Sequence, residues 1–224
     1  MAAEESTTSR RATRVKICGI TREADRHAAV RAGADALGFI VDVPVETPRE
    51  LPAERAAELI AGTEPFVTSV VVTMPERVDD ATRVQEQVGA DVIQVHGGLS
   101  SGEIEALKKQ VSAAIVVAVG EDDPELQAYG EVADALLVDS TDEDGGGGTG
   151  RTHDWNRTRQ VVEQVETPVV LAGGLTPENV GEAIETVQPY GVDTATGVER
   201  EGGRKDHDAV NAFVRQTRRA GVSI

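Results

Sequence analysis

Apolar residues gather in short, nearly unbroken runs: VKICGI (15–20), ALGFIV (36–41), TSVVVT (68–73), DVIQVHG (91–97), AAIVVAV (113–119), ALLVDS (135–140), PVVLAGG (168–174) and VDTATG (192–197). Their length and β-branched content predict strands, and the scarcity of polar alternation predicts strands covered on both faces. Between them lie segments such as READRHAAVRAG, PAERAAELIAG and PERVDDATRVQEQVG, with apolar positions three and four apart, and DHDAVNAFVRQTRRAG follows the last run. That spacing predicts helices. Proline and Ser/Thr/Asp residues supply their starts, as in TPEN at 176–179, where a helix is expected near Pro177. Strand then helix, eight times over, is the order of an α/β fold of one kind, a single (β/α)8 TIM barrel. The alternative, a doubly wound open sheet, calls for fewer strands and a glycine-rich turn after the first; CGITRE holds one glycine. No linker divides the chain. Residues 14–224 read as one barrel domain and the polar stretch 1–13 as a disordered arm.

Composition narrows the setting. Thirty-nine acidic residues stand against 22 basic ones, a formal net charge of −17, which argues against a nucleic-acid partner because phosphate backbones need a positive footprint. Lysine is scarce, at Lys16, Lys108, Lys109 and Lys205 only, and aromatics are 3%. Abundant carboxylates with few lysines resemble proteins of salt-loving organisms, where screening relieves self-repulsion. No segment approaches 18 uninterrupted apolar residues and the first residues lack a secretory apolar stretch, so no membrane association is expected. Cys18 is the one cysteine. It excludes an internal disulfide and points to a reducing compartment, such as the cytoplasmic setting expected here, or to a thiol kept for its chemistry.

In a barrel of this kind chemistry gathers at the C-terminal ends of the strands. The polar residues there are Lys16 and Cys18 on the first, Gln94 and His96 on the fourth, Asp139 on the sixth, Gly173 and Gly174 on the seventh, and Thr196 and Gly197 on the eighth. Cys18 and Asp139 make a candidate base and acid. A nearby cation would lower the thiol pKa toward neutrality, and desolvation would raise that of a carboxyl until it can donate a proton. Their plainer readings are a small buried apolar residue and a helix cap. The bare backbone at Gly173, Gly174 and Gly197 can grip a phosphate dianion with the help of a helix N-terminus. Arg49, after the second strand, is a natural carboxylate clamp, its plainer reading being a solvated surface arginine. His96 reads as an orienting donor or a core histidine. His27, His96, His153 and His207 show no ligand spacing, so no metal site is expected.

KICGIT (16–21), IQVHG (93–97), LLVDS followed by GGGGTGRTHDW (136–155), LAGGLTPENV (171–180) and VDTATGVEREGGRKD (192–206) together resemble the phosphoribosylanthranilate isomerase family of tryptophan biosynthesis. The resemblance runs from about residue 14 to 217 and implies a single-domain barrel that performs an Amadori rearrangement without a cofactor. It implies a general base at Cys18, a general acid at Asp139 and an arginine for the anthranilate carboxylate at Arg49. Phosphate-binding backbone is implied at Gly173, Gly174, Gly197 and Val198, with Gly148 and Thr149 nearby. Lys16, Gln94 and His96 would support the site. The chain departs from the family pattern at His153, where an aromatic is usual, at Thr196, where a serine is common, and in VDVPVETPRE, which has no aromatic before the arginine. The implied partner is a small phosphorylated substrate, and either a monomer or a homodimer fits. Rival readings are another sugar-phosphate isomerase or epimerase, and a barrel that binds a phosphate ligand without turning it over.

Overall fold

A computed structural model describes residues 12–139 and 155–221. Eight parallel strands, β1 (Arg14–Ile17), β2 (Ala36–Ile40), β3 (Thr68–Thr73), β4 (Val92–His96), β5 (Ala114–Val119), β6 (Ala135–Asp139), β7 (Val169–Ala172) and β8 (Gly191–Thr194), close into a barrel in chain order, with β8 beside β1. The helices are α1 (Glu23–Ala32), α2 (Ala53–Ala61), α3 (Val78–Val88), α4 (Ser101–Lys108), α5 (Leu126–Val132), α6 (Trp155–Gln164), α7 (Val180–Val187) and α8 (His207–Ala220). A short hairpin, β9 (Glu199–Glu201) and β10 (Arg204–Lys205), lies between β8 and α8.

Alternate residues of each strand serve two different cores, which is why the runs are apolar throughout. Val15, Ile17, Leu37, Phe39, Val71, Ile93, Ile115 and Leu136 pack with helix residues such as Leu59, Ile104, Val161 and Phe213 in one large outer layer. The intervening positions fill the barrel. Cys18, Val70 and Val72 pack there with Ala36, Ile40, Val92 and Ala195, and Ala118, Leu137 and Ala172 pack with Val116 and Val170. Lys16, Gln94 and Asp193 share this inward parity and are buried.

A repeat in the sequence shows its purpose here. Ala-Asp precedes β2, β4 and β6 as Ala34–Asp35, Ala90–Asp91 and Ala133–Asp134. Each aspartate reaches back to the start of the preceding strand: Asp35 accepts from Val15 N, Asp91 from Ser69 N and Asp134 from Ile115 N, each at 2.8 Å. Three adjacent strand pairs are thus pinned at the N-terminal rim by charge-assisted bonds. Asp35 also accepts from Arg218 Nη2 at 2.8 Å, and Arg218 Nη1 donates to Thr13 O at 2.9 Å, joining the end of α8 to the beginning of β1. Thr13 is buried by these contacts, whereas residues 1–11 of the expected arm lie outside the described residues. Among the described residues no helix is long and apolar enough to cross a membrane.

Two element boundaries differ from expectation. The strand predicted over 15–20 stops at Ile17, although Cys18 N still bonds Thr194 O at 2.9 Å, because Gly19 turns the chain with φ +71°. The helix expected near Pro177 begins at Val180. Asn179 is responsible: its Oδ1 accepts from Thr176 N at 2.8 Å and its Nδ2 donates to Gly174 O at 3.0 Å, so residues 174–179 close into a loop before the helix starts.

Candidate active site

Cys18 sits where β1 ends, pointing into the barrel, and its position is set by two glycines. Gly38 on β2 faces it: a Cβ there would stand 2.7 Å from the thiol sulfur and 3.1 Å from the Cys18 Cα. Gly19 must take a left-handed conformation, and a Cβ on it would press on Arg49 Cδ at 3.0 Å. The glycine after the cysteine therefore turns the backbone and lets the arginine stem cross above it. Gly38→Ala is expected to destabilise the fold by about 1–3 kcal/mol through overpacking against the thiol. A urea midpoint indistinguishable from that of the unchanged chain would contradict this contact.

Charged groups surround the thiol. Lys16, two residues before it on the same face, lies 3.1 Å from Asp193 on β8, its cross-strand register partner. Burial works against the Lys16 ammonium, but Asp193 and Cys18 outweigh it and hold its pKa above the usual lysine value. For Cys18 the balance goes the other way. Burial pushes the thiol up, Lys16 and Lys205 pull it down, Asp193 opposes them, and the pKa ends above its ordinary value. The cations that would bring the thiol toward neutrality are present, as Lys16 and Lys205, but burial outweighs them.

Arg49 reaches the same rim from the loop after β2, but its guanidinium is already engaged. Its Nε donates to Glu199 Oε1 at 3.0 Å and its Nη2 to Glu199 Oε2 at 2.7 Å. Lys205 Nζ approaches Glu199 Oε1 from the other side at 2.8 Å and also donates to Ala195 O at 2.9 Å. The two cations hold the Glu199 carboxyl below its usual value despite burial. Burial lowers the Lys205 pKa, with Glu199 resisting. The hairpin that carries both residues is anchored by buried Asp25 of α1, whose Oδ1 lies 2.8 Å from His207 Nε2 and whose Oδ2 accepts from Lys205 N at 3.3 Å.

The other expected residues occupy the same end of the barrel. Asp139 ends β6, in register with Ala172 and on the inward parity of Leu137. Gln94 is buried inside and half-buried His96 ends β4. Gly173 and Gly174 both have positive φ, 88° and 59°. The loop they begin is joined to β8, since Thr194 Oγ1 donates to Leu175 O at 2.7 Å and a Cβ on Gly197 would run into that same carbonyl. Gly197 and Val198 lie in a 3-10 turn, with Val198 fully buried. Gly148, Thr149 and His153 lie outside the described residues. Among the described residues no group of three His, Cys, Asp or Glu side chains could hold a metal ion.

Residues 15–216 match the family model described as N-(5'phosphoribosyl)anthranilate (PRA) isomerase. The chain belongs to the phosphoribosylanthranilate isomerase family. An isomerase of that name from Haloarcula marismortui is 56% identical over 208 residues, covering 93% of this chain and 97% of its own length. Other isomerase relatives of similar identity also come from halophilic archaea. Among solved structures, phosphoribosyl anthranilate isomerase from Thermotoga maritima superposes with a TM-score of 0.82 at 33% identity, covering 92% of this chain and 98% of that one. A second isomerase structure, in complex with reduced 1-(o-carboxyphenylamino)-1-deoxyribulose 5-phosphate, has a TM-score of 0.78 at 32% identity and covers the same shares of the two chains.

Glu199, Lys205, Asp193 and Gly38 were not among the residues singled out from the sequence. For Lys205 a signal existed. In a chain with so few lysines, Lys16 and Lys205 are buried at this rim, whereas Lys108 and Lys109 are exposed.

Proposed function

We propose that this barrel carries out the isomerase reaction of its family in tryptophan biosynthesis, the Amadori rearrangement of N-(5'-phosphoribosyl)anthranilate to 1-(2-carboxyphenylamino)-1-deoxyribulose 5-phosphate, with Cys18 and Asp139 as base and acid. The observation that carries the assignment of roles is that both residues lie on inward-facing positions at the C-terminal ends of β1 and β6. Asp139, protonated, gives its proton to the ribose ring oxygen. The C1–O bond breaks and the anilino nitrogen supplies the electron pair that makes an iminium at C1. The iminium acidifies the C2 proton, which passes to the Cys18 thiolate as the C1=C2 enolamine forms. Return of the proton from Cys18 to C1, with loss of the C2 hydroxyl proton to Asp139, gives the ketone and restores both groups. Atoms and electrons balance within substrate and the two side chains.

The raised thiol pKa fits this order of events. The reacting form carries Cys18 as thiolate from the outset; burial, which pushes the thiol up, makes that thiolate a stronger base, and the positive charge of the iminium stabilises it until the C2 proton arrives. Gly173, Gly174, Gly197 and Val198 would hold the phosphate with backbone N–H groups, so that binding energy remote from C1 and C2 orients the sugar. Arg49 would meet the anthranilate carboxylate with the N–H groups that Glu199 leaves free. The substrate is the only partner this reading requires, in the cytoplasm, where the lone thiol stays reduced.

The test is loss of the substrate's anthranilate fluorescence when purified protein is mixed with it in molar potassium chloride. Exponential decay at a rate proportional to enzyme is expected. Saturable binding with no decay would favour a ligand-binding barrel instead.

A further inference from the structure

We infer that Lys205 is a positioning residue for the Cys18 base, its ammonium supplying the uncompensated positive charge beside which the thiolate forms. The inference rests on the reading of Cys18 as base and adds the group that makes it one.

The charges facing the thiol can be taken element by element. β1 contributes Lys16 and β8 contributes Asp193, a pair at 3.1 Å with side chains equally buried. Lys16 acts on the thiol more strongly than Lys205 does, through its charge and a side-chain hydrogen bond, while Asp193, its ion-pair partner, opposes it, so the pair carries no net charge. β2 and β3 offer Gly38, Ile40, Val70 and Val72, none of them charged. The loop after β2 contributes Arg49, lying across Gly19, and β9 contributes Glu199, whose two oxygens are taken up by the Arg49 guanidinium. Lys205 remains. Its side chain is 0% exposed, and Glu199, its one anionic side-chain partner among the described residues, already answers the charge of Arg49. The trio of Arg49, Glu199 and Lys205 thus keeps one net positive charge, with its ammonium end buried and Arg49 partly exposed, so that the charge on Lys205 is less screened than one in water.

Geometry places that charge on the cysteine segment. A Cβ on Gly19, the residue after Cys18, would be 3.5 Å from Lys205 Nζ. The ammonium has three protons, of which Ala195 O and Glu199 take two, and Ala195 itself packs in the inner cluster with Cys18. Asp25, holding Lys205 N, fixes the backbone from which this side chain extends. A lysine needed only to neutralise Glu199 would duplicate what Arg49 already does.

The experiment is a pH titration of thiolate absorbance near 240 nm, with Cys18→Ala as blank. In a chain with one cysteine the subtracted signal belongs to Cys18. Lys205→Met is expected to move the thiol midpoint up by about one pH unit, to shift the acid limb of kcat by the same amount, and to lower kcat at pH 7 about tenfold. Lys16→Met combined with Asp193→Asn removes a cancelling pair and is expected to move the midpoint by less than half as much as Lys205→Met. Should Lys205→Met fail to fold, Lys205→Gln, whose amide can still donate to Ala195 O, carries the same prediction. A variant at 205 that titrates like the unchanged chain overturns the inference, as does a double variant that shifts as far. If instead Cys18→Ala keeps its turnover, the base reading falls, whatever Lys205 does to the thiol.

Discussion

Cys18→Ala is expected to lower kcat by about 10³-fold while leaving affinity for the reduced product analogue within about threefold. The asymmetry follows from what the thiol does and does not touch. Its removal deletes one sulfur from an inner cluster of small residues, Val70, Val72, Ala36 and Ala195, and leaves the two loops proposed to hold the phosphate untouched, since those are joined to each other through Leu175 and Thr194. Binding energy survives and proton transfer from C2 does not. A substrate deuterated at C2 should react more slowly than the protiated one in any variant that weakens the base, and that isotope effect should grow as the base weakens. Retention of kcat by Cys18→Ala would mean that some other group takes the C2 proton.

Asp139→Asn is expected to cost about 10²–10⁴ in kcat, through the earlier half of the reaction. The amide keeps the shape of the carboxyl at the end of β6, opposite Ala172, but has no proton acidic enough to give to the ring oxygen. Ring opening then becomes the slow step, so the C2 isotope effect should shrink toward unity in this variant while it grows in variants of the base. Opposite movements of one isotope effect separate the two roles more securely than the size of either rate loss. An isotope effect that rose in both variants would place Asp139 in the same step as Cys18 and undo the division of labour proposed for them.

The barrel was legible in the sequence because closure in a parallel sheet buries both strand faces, and double burial leaves a mark that survives without any neighbour being known: ALGFIV, TSVVVT and AAIVVAV are apolar at every turn of the pleat or nearly so. The ends of elements were less legible. VKICGI continues past the true end of β1 because its last residues are as apolar as its first, and only the left-handed Gly19 reveals the stop. Cys18 and Asp139 stood out as candidates because each is a titratable residue near the C-terminal end of an apolar run. The partners of Arg49 could not. Glu199 lies 150 positions away, on a three-residue strand with no hydrophobic pattern, and nothing local distinguishes a carboxylate that captures a guanidinium from one in water. Gly38 was hidden for a related reason: in ALGFIV it looks like a weak point in a strand, and its purpose appears only when the neighbouring sulfur is in place.

The aspartates at the opposite rim bear on the chemistry despite their distance from it. Strand side chains alternate, so a slip of β1 by a single residue would hand its place inside the barrel to the other set, presenting Ile17 and Gly19 to the substrate and sending the sulfur toward the helices. Asp35, clasping Val15 N three residues upstream of Cys18, makes that slip break a charged bond before anything moves. The carboxylate at the far rim acts as an indexing pin, deciding which atom of the first strand arrives where proton exchange is proposed.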